Sequence, residues 1–370
     1  MNITANAEKL RIRVGKVKNI FKFFKVMKKL VFNTLFSLVF ITIGCFNAVA
    51  QRVNEVTPPR VTSENGILVL SSPEAYIQAM DFFDSADDGT LNEWRNSFEI
   101  ETSAKALVLF ETNIEKVESV EEVNRLEEGF RERIKITDGG ENGKNYDFKY
   151  RHLAELTNQE GIFKVGGTII KVTNSKIISV THPDKVEIES INDETRSDQE
   201  RGIFVTEVLS ASMACCPTSN AVEKLYNKNN NRLQSDYELA NKSIVVYLEG
   251  LKQHSFSALL ALQSRGFNDR KRKAGFVTWW WGTDADLTLT TTATFTHDYV
   301  KFGIPSPLTL TGTSTVKNKS KILASGGKGA LWQVGPNFSG PPDANFCISS
   351  VNNTFTNNTD KQTLVDTCKK

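Results

Sequence analysis

What this 370-residue chain lacks narrows its chemistry before any positive feature does. It holds no G-x-S-x-G nucleophile elbow, Walker loop, dinucleotide fingerprint or C-x-x-C pair. The hydrolase, nucleotide, nicotinamide and dithiol chemistries that those motifs serve therefore have no motif to rest on. Histidine is scarce and scattered: His152, His182, His254 and His297 form no i, i+4 pair and no H-E-x-x-H helix. Each reads as a surface or partly buried ring, and neither a metal nor a cofactor is assigned. Gly326-Gly327-Lys328-Gly329 lacks the spaced glycine, the Ser/Thr after lysine and the preceding buried strand of a phosphate cradle, so it reads as a flexible turn. No solenoid-type repeat is visible.

A membrane-length apolar run is absent as well. Leu30–Ile43 covers 14 residues and is broken by Asn33, Thr34 and Ser37, whereas a span needs about 20. It reads instead as the core of a secretory signal peptide that starts at the internal Met27. Lys28 and Lys29 supply the positive end, and Ala48-Val49-Ala50 before Gln51 is a small-x-small cleavage site. Export across an inner membrane is expected, to the periplasm, the outer membrane or the medium, with cleavage after Ala50. Lipidation at Cys45 is the less favoured route, because Thr42 stands where a lipobox has a Leu-like residue. Met1–Val26 reads as an extension upstream of the true start.

Positive charge is lacking once that segment is set aside. The full chain is +2, but residues 1–50 hold nine basic side chains and one acidic, which leaves 36 basic against 42 acidic, a net −6. Nucleic acid, which needs a concentrated positive footprint, is not an expected partner. Cysteine is sparse but even in number after position 50: Cys215, Cys216, Cys347 and Cys368. In an exported chain this suggests disulfides. A bridge between the neighbours Cys215 and Cys216 would strain the peptide link. Either each reaches into the C-terminal part or Cys347 pairs with Cys368; reduced, buried thiols are the alternative.

The remaining pattern is α+β: a small helix-plus-hairpin module followed by an all-β, sandwich-like domain. Residues 51–66 read as an extended leader, 67–182 as the α+β module, 183–202 as a charged linker or mobile loop, and 203–370 as the β-sandwich-like domain. Ile67–Leu70 is a short strand. Ser72 and Pro73 open a helix with Tyr76, Met80 and Phe83 on its apolar face. Thr90 with Glu93, and Ser119 with Glu122, have the spacing of capping boxes. The first precedes Leu91, Trp94 and Phe98, the second Val120, Val123, Leu126 and Phe130. Gly161–Val165 and Thr168–Val172 flank Gly166-Gly167, a hairpin signal, and Lys176–Val180 follows as a third strand. Further strands are expected at 243–248, 255–262, 275–281, 286–297, 308–316 and 330–334. Between Leu287 and Thr296, apolar positions and threonines alternate, as on a strand with one face in a core and one towards solvent.

Asn65–Leu70, the Leu91–Phe98 element with its Leu-x-x-Trp, and the G-I-F-x-V-G-x-T-I-x-K hairpin at Gly161–Lys171 together resemble a group of uncharacterised exported proteins of Gram-negative bacteria. The likeness covers about the first third of the chain after the signal. It implies export and a β-rich C-terminal region, and lends no mechanism.

Two neighbouring features carry the binding chemistry. On a strand, Trp279 and Trp281 point one way and Trp280 the other. They either fill the core or present flat aromatic surface to a sugar ring or a partner protein. Arg270, Lys271, Arg272 and Lys273 form the densest basic cluster after the signal, placed by Gly266 and Gly275 at a polar hairpin tip. Together they are the expected ligand contacts of a non-enzymatic binding or structural protein whose partner, a glycan or a protein, lies in the envelope or outside the cell. The alternative is an exported hydrolase of polysaccharide or peptide, with Asp284, Asp286 and Asp298 gathered at one end of the sandwich.

Overall fold

Side-chain caps fix where the first half turns helical. The computed structural model describes residues 57–370 apart from 139–143, 209–214, 275–276, 335–337, 339 and 343–344. The expected signal peptide, Cys45 and the expected cleavage site after Ala50 lie outside the described residues. Ser72 accepts the Ala75 N–H at 3.3 Å and opens α1 (Pro73–Ser85), which buries Tyr76, Met80 and Phe83 as expected. The second helix, α2 (Asp88–Asn96), is capped by Asp87 rather than Thr90. The Asp87 carboxylate takes the Thr90 N–H at 2.8 Å, and a charged acceptor suits the positive helix end better than a hydroxyl does. A helix that the capping patterns did not announce, α3 (Ser103–Ile114), follows behind Thr102. The fourth, α4 (Val120–Phe130), has the expected capping box of Ser119 and Glu122.

The strands make three sheets, and the chain is α+β with a β-rich C-terminal region. The first sheet runs in the order β1 (Val61–Glu64), β2 (Ile67–Leu70), β5 (Ile162–Val165), β6 (Thr168–Val172), β7 (Lys176–Val180) and β8 (Ile203–Glu207), with β3 (Ile134–Asp138) and β4 (Lys144–Phe148) set elsewhere. Gly166-Gly167 turns β5 into β6 as expected. Val186 and Ile191, two of the few apolar residues of the charged stretch 183–202, pack with Ile162, Ile169, Ile178 and Val180 on this sheet. Residues 58–370 belong to one compact unit.

The second sheet joins β3 and β4 to β13 (Val277–Gly282), β12 (Gln253–Ala274), β10 (Asn231–Asn241) and β9 (Ser219–Tyr226). Two more strands, β11 (Ile244–Leu248) and β16 (Lys321–Val334), also pair with β12. The third sheet has the order β15 (Leu308–Lys319), β14 (Ala285–Thr296), β17 (Cys347–Asn357) and β18 (Gln362–Lys369). Along β14, Leu287, Leu289, Thr291, Ala293 and Phe295 are buried while the intervening threonines face outward. Their hydroxyls pair with the next strand, Thr292 with Thr311 at 3.1 Å and Thr294 with Thr309 at 2.9 Å. Disulfides Cys215–Cys347 and Cys216–Cys368 tie the approach to β9 onto β17 and β18. They are compatible with an extracytoplasmic protein. Among the described residues no helix is long and apolar enough to cross a membrane.

The 22-residue strand β12 organises the interior because its two faces serve different layers. Phe256, Ala258, Leu260 and Leu262 point into the sandwich core with Ala293, Phe295 and Val351 of the third sheet. Further along the same face, Ser264 donates to Asn353 at 2.8 Å. A Cβ at Gly266 would meet the Phe355 ring at 2.6 Å, so only glycine lets the ring pack there. Two expected turns are strand instead. Gly326–Gly329 lies within β16, paired with Leu259–Leu262, and a Cβ at Gly326 would lie 2.4 Å from the Thr311 carbonyl oxygen. Close approach of two strands, not a bend, is what requires glycine here. The basic run Arg270–Lys273 belongs to β12 rather than to a hairpin tip, because β12 continues to Ala274.

Candidate functional site

The other face of β12 carries polar residues into the protein interior. Register sets Glu238 against Gln263, Asp236 against Arg265, Gln234 against Phe267 and Arg232 against Asp269, all with the same phase. Helices α1, α2 and α3, the hairpin β3–β4 and the turn at 151–155 cover this face, leaving a cavity of about 480 Å³. Met80, Phe83, Leu91, Leu107 and Val108 form an apolar roof, whereas Lys242, Gln263 and Arg265 lie on the sheet side. A second cavity of about 310 Å³ shares Tyr146, Arg265 and Phe267 with the first and extends to Trp280 and Trp281. The two form one groove, of the size that takes a small ligand.

Charges on the floor are paired, with one exception. Arg265 bridges Asp147 at 2.6 and 3.1 Å and Asp236 at 2.7 Å, and Arg151 adds a second bond to Asp236 at 2.8 Å. Burial pushes the Asp147 carboxyl up, but the charge and hydrogen bonds of Arg265 outweigh it and hold the group below the usual carboxylate range. Arg232 holds Asp269 at 2.8 Å and Asn145 at 3.1 Å. On the roof Arg95 pairs with Glu155, and at the mouth Lys321 pairs with Glu111. Arg151 Nε stands 3.0 Å from Glu238 Oε2 as an ion pair without hydrogen-bond alignment. His152 Nδ1 lies 3.5 Å from Glu238 Oε1, too far for a good hydrogen bond, and has no other partner among the described residues. Burial pushes the His152 ring down, so its neutral form is favoured.

Lys242 is the exception. It is 4% exposed and lines the first cavity, yet its ammonium forms neither a hydrogen bond nor an ion pair with any described residue. The chain around it is fixed. The Tyr76 hydroxyl donates to the Lys242 carbonyl at 2.6 Å, and the Lys242 N–H donates to the Leu259 carbonyl at 2.9 Å. On either side, Asn241 donates to the Tyr299 hydroxyl at 2.7 Å and the Ser243 hydroxyl accepts the Leu259 N–H at 2.9 Å. Both neighbours are committed elsewhere. Burial pushes the Lys242 amine down, opposed by the charges of Asp84 and Glu238, while burial raises the Asp84 carboxyl against the charge of Lys242.

Two of the expected contact residues, Trp280 and Trp281, line this groove at one end. Trp280 is 9% exposed and lines it, with the Arg232 guanidinium 4.5 Å and the Lys271 ammonium 5.8 Å from its ring centre. Trp281 also lines it and carries Arg272 at 4.1 Å. Arg270, Lys271 and Arg272 are exposed on β12, so two of these three cations rest on indole faces rather than standing free. The side chains of Trp279 and Lys273 lie outside the described residues. The three aspartates do not converge. Asp284 lines the first cavity, while Asp286 and Asp298 flank opposite ends of the 12-residue β14, on the order of 40 Å apart at strand rise. Among the described residues no three His, Cys, Asp or Glu side chains are grouped to hold a metal ion.

Lys242, Arg265 and their partners belong to no motif in the sequence, where His152 reads only as a surface or partly buried ring. The only signal was the alternation of Arg232, Gln234, Asp236 and Glu238 with Leu233, Tyr237 and Leu239, which a strand facing water would show equally well, and no such pattern marks 262–269.

No protein-family model and no curated protein matches the chain. A crystal structure of a DUF4848 family protein from Bacteroides thetaiotaomicron aligns with 83% of this chain and 99% of its own at 8% identity, with a TM-score of 0.28. A likeness at that level carries no argument about mechanism.

Proposed function

We propose that this is an exported, non-enzymatic binding protein that takes up a saccharide in the roofed groove between the helical layer and the second sheet. The observation that supports it is the covered face of β10 and β12, where Arg232, Gln234, Asp236, Glu238, Gln263 and Arg265 stand where a structural core would have apolar side chains. Burying such groups costs free energy even when they are paired. A polar floor beneath an apolar roof suits a pyranose ring, which has apolar faces and a rim of hydroxyls. The aromatic end, with Tyr146, Phe267, Trp280 and Trp281, extends the same chemistry along the groove.

The groove also accounts for what the Trp-rich strand contributes: a wall of the site rather than an exposed platform. The test is a glycan panel read by calorimetry on the purified protein and its Trp280→Ala and Phe267→Ala variants. At least one oligosaccharide should bind, and each variant should weaken it about tenfold, the loss of one aromatic contact. Absence of saccharide binding to the wild type, or binding that neither variant changes, sinks the reading.

A further inference from the structure

Resting on the groove as a saccharide site, we propose that Lys242 seats a carboxylate of the ligand, so that the saccharide recognised is an acidic one containing a uronate. Lys242 is set apart by its unmet valence. Every other cation on the floor is engaged: Arg265 by Asp147 and Asp236, Arg151 by Asp236 and Glu238, Arg232 by Asp269. The carboxylates nearest to Lys242 are occupied or disfavoured as its partner. Glu155 is held by Arg95, Glu238 by Arg151, and the buried Asp84 carboxyl is shifted toward its neutral form. A buried ammonium with no hydrogen bond or ion pair among the described residues is costly, and an anion arriving from outside relieves that cost.

Local charge bears on the kind of anion. The Glu238 and Glu155 carboxylates and the Arg151 guanidinium act on Lys242 through space, and with two carboxylates against one cation a dianionic phosphate would meet repulsion that a singly charged carboxylate meets less. A hydroxyl partner is also on offer nearby, because His152 lines the same cavity with its buried Nδ1 unpartnered among the described residues. A carboxylate and an adjacent hydroxyl on one ring are the groups a uronate presents. The chain from Gln51 onward is net negative, so long-range steering does not favour an acidic ligand. Selectivity must come from this one desolvated contact.

The experiment compares trimers of galacturonate, mannuronate and glucuronate with their carboxyl-reduced neutral counterparts by calorimetry. Wild type, Lys242→Met and Lys242→Gln are each tested, with thermal unfolding recorded for all three. At least one uronate trimer should bind about tenfold or more tighter than its reduced form, as a charge-assisted hydrogen bond provides. Both variants should abolish that difference, with a melting temperature at or above that of wild type. Equal affinity of the wild type for acidic and neutral forms overturns the carboxylate seat and leaves the groove reading standing. Binding of neither set overturns both. A melting temperature that falls by many degrees in both variants assigns Lys242 a structural role as counter-charge to Asp84 and Glu238, and the proposal fails.

Discussion

Arg265 offers the most demanding test of the paired floor. Replacing it by Met keeps much of the aliphatic stem but removes two bonds to Asp147 and the bonds to Asp236 at once. Asp236 retains Arg151 at 2.8 Å, so Asp147 is the carboxylate left most exposed to the loss. Removing one partner of a buried ion pair costs about 3–5 kcal/mol, and that is the loss expected at pH 7. The pH dependence follows from the sign of the Asp147 shift. Its folded carboxyl lies below the unfolded value, so its contribution is present above about pH 4 and is lost as pH falls through the lower folded value. The variant lacks that contribution, and its stranded carboxylate accepts a proton more readily. The gap between wild type and Arg265→Met should therefore be widest at pH 7 and shrink in acid, by up to about 1.4 kcal/mol per pH unit. Urea unfolding followed by tryptophan fluorescence at pH 7 and pH 4 measures both values. A gap under about 1 kcal/mol at pH 7, the range of an exposed pair, or one that widens toward pH 4, would refute the reasoning.

Two further outcomes follow from the same geometry. With Cys215–Cys347 in place, the Cys216–Cys368 bridge closes a ring of only about 22 residues, so Cys216→Ser/Cys368→Ser should lose about 3 kcal/mol in denaturant titration. A loss near 5 kcal/mol, the value for an independent loop of more than 100 residues, would show that the two bridges do not share one ring. His152 is pushed down by burial, so the protein should lose stability as pH falls from about 6.5 toward the lower folded value. The melting temperature of His152→Gln, followed between pH 7 and pH 5, should fall less steeply than that of wild type.

Several elements were legible in the chain because the cause acts locally. Ser119 and Glu122 satisfy orphan helix N–H groups within one turn, Gly166-Gly167 closes a hairpin, and the alternation along 287–296 needs only a sheet with one wet face. The export expectation rests on a segment outside the described residues. Where two local signals competed, the outcome was harder to see: Asp87 and Thr90 are both good caps, and charge decided between them. Helix α3 opens with Thr102 but has no glutamate three residues on, so only the spacing of Leu107, Phe110 and Ile114 marked it.

The interior groove could not be read this way. Period-two alternation along β10 and β12 fixes which residues share a face, but not whether water or another layer covers that face. The helices that roof Arg265 lie about 150 residues or more before it in sequence, and no local rule links them. The same holds for Gly266 and Gly326, whose need for glycine arises from Phe355 and Thr311, and for Lys242, whose lack of an ion pair among the described residues depends on which carboxylates Arg95, Arg151 and Arg265 already hold. Sequence determined the locally capped helices, the Gly-Gly hairpin, the even cysteine count and the phase of β14. Tertiary structure decided which polar face was buried, and with it the site.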